Sequence, residues 1–100
     1  MKAIVRLMSV PVAKRDIAWV RESLRAAMQL ELSTIPPYLY AAWSIDPSSK
    51  SSCVETIKGI AQEEMLHLGI AANLLTAVGG KPDFVRSAPS YPTLLPDPYP

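Results

Sequence analysis

Apolar side chains recur at steps of three and four along two long stretches of the chain, and polar residues fill the remaining faces. In the first stretch, from about Lys14 to Ile45, one stripe holds Ile17, Val20, Leu24, Ala27, Met28, Ile35 and Tyr38, with Glu22, Arg25 and Gln29 opposite. The spacing predicts a helix in which Asp16 is the cap or a first-turn acid. Asp46-Pro47-Ser48-Ser49-Lys50-Ser51 reads as a turn. A second helix opens at Ser52-Cys53-Val54-Glu55, which has the form of a capping box. It runs to about Val78, where Gly79-Gly80 and then Pro82 supply the stop. Its length of roughly 40 Å suits a bundle helix. Residues 1–13 mix a short β-prone run, Ala3 to Leu7, with Pro11 and predict an extended lead-in. Residues 79–100 hold six of the ten prolines and predict an extended crossover or tail with no core of its own.

Pro36-Pro37 interrupts the first pattern. It removes two amide donors and pushes Ile35 from the α region, at about 3 kcal/mol or more. The helix either ends near Ser33 or bends there, with the Ser33 and Thr34 hydroxyls covering freed carbonyls. The stripe resumes at Tyr38, which favours a bend, and a bend one turn past Glu31 opens space beside it.

Two such helices cannot close a core by themselves. Leu66, Ile70 and Leu74 lie away from the stripe of Ile57, Ala61, Leu68 and Leu75, so the second helix is apolar on more than one side. The expected fold is all-α: a helical hairpin, half of a four-helix bundle, completed by a second copy or by further chain. Composition agrees, since 49% of residues are apolar. A net charge of +1, with cations and acids intermixed, gives no nucleic-acid footprint. No run is long and apolar enough to span a membrane, none resembles a signal peptide, and the single Cys53 can form no internal disulfide. A cytoplasmic setting is the default expectation.

Phase around each helix directs attention to three residues. In steps of about 100° per residue, Val20, Leu24 and Ala27 all fall within about 40° of Glu31, so this carboxylate sits inside the apolar stripe. Ile57, Ile60, Leu68 and Ala71 fall within about 40° of Glu64, with His67 about 60° away on the same face. A buried, ionised carboxylate costs several kcal/mol unless it is paired or binds a cation. Arg21 and Arg25 lie off the stripe and offer no internal partner. Di-iron and di-manganese carboxylate bundles of ferritin type use one Glu from each of two helices and Glu-x-x-His from each of the other two. Glu31 with Glu64-Met65-Leu66-His67 is half of that set. The plainer alternative has both glutamates reaching the surface and His67 as a hydrogen-bonded core residue. Glu63, about 100° off the stripe, is expected to flank the ligands, and Tyr38, on the inner face, either to pack in the bundle, the plainer reading, or to line the pocket beside them. Cys53 falls on the inner face about three turns away, too far to ligate, and is expected to pack.

The runs Leu30-Glu31-Leu32-Ser33-Thr34-Ile35-Pro36-Pro37-Tyr38-Leu39-Tyr40-Ala41 and Glu63-Glu64-Met65-Leu66-His67-Leu68, followed by Ala71-Ala72-Asn73-Leu74-Leu75 and Gly79-Gly80, resemble the ferritin-like iminophenyl-pyruvate dimer synthase domain. The resemblance covers roughly residues 15–95. It implies a four-helix bundle with two metal ions, iron or alternatively manganese, in which Glu31 matches the first-helix ligand and Glu64 and His67 the second-helix pair. It also implies two further helices beyond the crossover, so these 100 residues match the N-terminal half of such a domain. Three functions are compatible: an oxidase or oxygenase acting on a small amino-acid-derived substrate, an iron-handling protein without organic substrate, and a metal-free oligomerising hairpin. The first two call for a homodimer or larger oligomer, or further chain, to complete the ligand set.

Overall fold

Asp16 begins the first long helix by accepting a hydrogen bond from the Trp19 amide at 2.9 Å, the N-cap geometry its position foreshadows. In the computed structural model, which describes residues 3–49 and 51–91, this helix, α2, covers Ile17–Trp43. It is preceded by α1 (Ala3–Met8) and a 3-10 turn (Val12–Lys14), and followed by α3 (Cys53–Ala77) and the single turn α4 (Phe84–Ser87). The described residues are all helix, turn and loop, with no strand. α2 and α3 pack as a hairpin, antiparallel because Thr34 meets Glu64 while Arg21 meets Val78.

α2 continues through Pro36 and Pro37 without a break, so the alternative end at Ser33 does not occur. The Ser33 hydroxyl donates to the Leu30 carbonyl at 2.6 Å, and the Thr34 hydroxyl lies 2.9 Å from the Glu31 carbonyl. These are not the carbonyls the prolines free, which belong to Leu32 and Ser33. The expected compensation is therefore displaced by about half a turn.

The core lies along the hairpin seam, where Met28 and Leu75 are fully buried against Ala71 and Ala72, with Leu24, Ala27 and Leu68 packed around them. Small residues at positions 61, 71 and 72 of α3 let the helices approach closely. Removing Met28 or Leu75 would cost roughly 2–5 kcal/mol. The chain leaves α3 through a Schellman turn: the Gly80 amide donates to the Leu75 carbonyl at 2.8 Å, and the Gly79 amide to that of Thr76 at 3.0 Å. Gly79 has φ +83°, and the Arg21 guanidinium covers this end of α3 by donating to the Val78 carbonyl at 2.6 Å.

Four sequence expectations need correction. The β-prone run Ala3 to Leu7 is helical, because it has no strand to pair with and instead docks on α2. Leu7 is buried, its carbonyl accepts from the Trp19 indole at 2.9 Å, and Arg6 pairs with Glu22. The capping box at Ser52 does not form: Ser52 is already in the helical region and makes no side-chain cap bond, while the Ser51 hydroxyl accepts from the Cys53 amide at 3.2 Å. Cys53 is exposed, not packed. The stretch after Gly79 is not wholly extended, since α4 forms a turn capped by Asp83 and packed on α2. Residues 92–100 of the expected tail, and Lys50 of the turn, lie outside the described residues. No described helix is long and apolar enough to cross a membrane.

Candidate metal centre

Glu31 projects from α2, just under one turn beyond Met28, and Glu64 and His67 project toward it from α3. One ligand atom from each of the three lies within 4.8 Å of the others. His67 Nδ1 is 3.7 Å from Glu31 Oε2 and 3.8 Å from Glu64 Oε1. The two glutamate side chains are 19% and 20% exposed, whereas His67 is 51% exposed, so the cluster is walled on the hairpin side and open on the other.

The electrostatics follow from that placement. Burial of the Glu31 carboxyl, together with the Glu64 carboxylate bonded to it and repelling it, pushes its pKa up to about 7, with His67 pulling the other way. Glu64 is held below its ordinary value, first by its hydrogen bond with Glu31 and then by Thr34 and His67, against the cost of burial. Without a cation, these opposed shifts make Glu31 the more readily protonated member of the pair.

Even so, one atom stays unsatisfied. Glu31 Oε2 is buried with no hydrogen-bond partner, and 3.7 Å is too long for a bond to His67. Leaving such an atom bare costs about 1–3 kcal/mol. Two carboxylates and an imidazole are donors suited to a divalent first-row metal. The residues present thus fit a cation, which would be held by Glu31, Glu64 and His67.

Thr34 joins this candidate site, although sequence reasoning assigned its hydroxyl only to the helix bend. Its hydroxyl lies 2.8 Å from Glu64 Oε2 across the hairpin and 2.9 Å from the Glu31 carbonyl on its own helix, with a single proton to share between the two acceptors. It sits three residues after Glu31, on the ligand face, and that spacing is the signal that could have found it. By holding Oε2, it leaves Oε1 directed at His67. The Glu63 side chain is exposed and makes no hydrogen bond or ion pair with any described residue. Tyr38 is half-buried and does not bond to the three ligands.

A model of the ferritin-like family matches residues 24–99, a span that takes in Glu31, Thr34, Glu64 and His67. No curated protein and no solved structure matches the chain.

Proposed function

Because the chain belongs to the ferritin-like family, we propose that Glu31, Glu64 and His67 are one half of a di-metal carboxylate centre with iron as the resident metal and manganese as the alternative. The observation that carries this reading is the buried, unpartnered Oε2 of Glu31 inside a set of three converging ligand atoms. Bound iron would supply redox capacity toward O₂ or peroxide. The chain's own part is to hold the ion between two helices, to orient Glu64 through Thr34, and to give up the proton stored on Glu31 when the ion enters.

Three ligands are half of the bundle set, and the α3 face beside them is apolar and open: Leu66 is 62% exposed, Ile70 48% and Leu74 50%. We place a second copy on this ridge, antiparallel about a twofold axis, so that each chain contributes one Glu and one Glu-x-x-His. The Leu30–Ala41 and Glu63–Leu68 runs resemble the iminophenyl-pyruvate dimer synthase domain, and on that resemblance the activity class is an oxidase or oxygenase acting on a small amino-acid-derived substrate. Iron handling without an organic substrate is the second reading. It is favoured by the half-exposed His67, which leaves the ligands open to ions from solution. The free Cys53 accords with a reducing, cytoplasmic setting.

The test is metal retention after iron loading and desalting, in the wild type and in Glu31→Gln plus His67→Ala. The wild type is expected to keep iron and the double variant to lose it. Equal metal content in the two proteins would remove the basis of the proposal. Iron(II) oxidation without any organic substrate would select the second reading.

A further inference from the structure

Away from the ligands, on the outer side of α2, a cleft of about 310 Å³ opens between that helix and the segment carrying α4. Its walls include Arg25, Gln29, Lys81, Asp83 and Arg86, and the buried Met28 forms part of its floor. Among the described residues, three cations face one acid there, an excess of two, whereas the whole chain carries a net charge of only +1. The single acid is already engaged: Asp83 caps α4 by accepting from the Arg86 amide at 2.9 Å, and its other oxygen lies 3.8 Å from Arg86 Nε. Glu22, the acid one turn before Arg25, is taken by Arg6. Arg21, also one turn away, adds a like charge and is turned toward the Val78 carbonyl. Arg25 and Lys81 therefore have no acidic partner among the described residues, yet they converge on one concave surface with Arg86 and the Gln29 amide.

We propose that this cleft binds a small anion bearing carboxylate or phosphate groups. A guanidinium presents paired donors that match either group, and two guanidinium groups with an ammonium suit a doubly charged ligand better than a single carboxylate. The volume is at the lower end for small-molecule sites, which fits a compact acid or phosphate and not a nucleotide. The site is independent of the metal cluster. Met28 closes the cleft on one side and packs on Ala71, Ala72 and Leu75 on the other, so apolar core separates the two.

The test is an NMR titration of the full chain, following the Gln29 and Arg86 amides, with inorganic phosphate, succinate and sodium chloride at matched ionic strength. Saturable shifts are expected with phosphate or succinate but not with chloride. Phosphate alone saturating would assign a phosphoryl ligand, and succinate alone a dicarboxylate. Arg25→Gln with Lys81→Gln should weaken binding at least tenfold, and Glu31→Gln should leave it unchanged, so failure here is separable from failure of the metal reading. Asp83→Asn keeps the cap of α4 but removes the one acid among the described lining residues, and should tighten binding, an effect that misfolding cannot imitate. Shifts that track ionic strength alike for all three salts, or binding that is indifferent to the charge substitutions, would overturn the proposal.

Discussion

Glu31 is the residue at which the cost of the centre is concentrated. Its carboxyl stays protonated in the folded, metal-free chain up to about pH 7, against an ordinary value of 4.5. Between those two values the native state holds more protons than the unfolded one, so stability falls as pH rises through the interval. Glu64, with its pKa lowered, acts in the opposite sense, adding stability above its ordinary range and losing it only in more acid solution. Denaturant unfolding of the metal-free protein should therefore lose on the order of 1–3 kcal/mol from about pH 5 to pH 7.5, and Glu31→Gln should flatten that slope. A stability that climbs across the same range would contradict the raised pKa of Glu31. Thr34 offers a second check. Thr34→Val keeps the shape but removes the donor to Glu64, and metal affinity measured by chelator competition should drop roughly 10- to 100-fold. Thr34→Ser should restore most of it. Unchanged affinity in the valine variant would show that the hydroxyl only serves the helix.

At the level of the elements, the hairpin depends on how α3 ends. Gly79 adopts φ +83°, and a Cβ there would lie 2.8 Å from the Arg21 guanidinium, whose bond to Val78 closes the seam. Gly79→Ala should destabilise the chain by about 1–2 kcal/mol, seen as a lower thermal midpoint, and an unchanged midpoint would mean that the turn is not strained. This stop was legible in the sequence because paired glycines before a proline have a specific backbone use. The phase of Glu31, Glu64 and His67 was legible because helical periodicity alone sets it. The role of Thr34 was not, because its reach to Glu64 depends on how closely two helices approach, which the alanines of α3 decide. Cys53 shares the angular position of Glu64, but it occupies the exposed first turn of α3, and angle around a helix says nothing of position along it. The α1 segment was misread because the β-propensity of Ile4 and Val5 is weak beside docking on Trp19 and Glu22.

For the whole molecule, the hairpin covers one side of the Glu31, Glu64 and His67 cluster and leaves the other side open. The same geometry that buries Met28 and Leu75 exposes Leu66, Ile70 and Leu74 along the adjacent face of α3. On the proposed reading, a twofold partner would cover this apolar ridge and complete the ligand set, so the two features make one joint prediction. Leu66→Glu with Ile70→Glu should leave the helical content intact while removing both association and metal retention. Retained metal in a monomeric variant would separate the ridge from the site. The most direct measurement is the mass of the assembled species together with its metal count, by native mass spectrometry after loading with iron(II). A dimer carrying two ions, about one per chain, is the expected species, and Glu31→Gln should deplete it. A chain that holds no metal at any mass, under iron or manganese, would contradict the account.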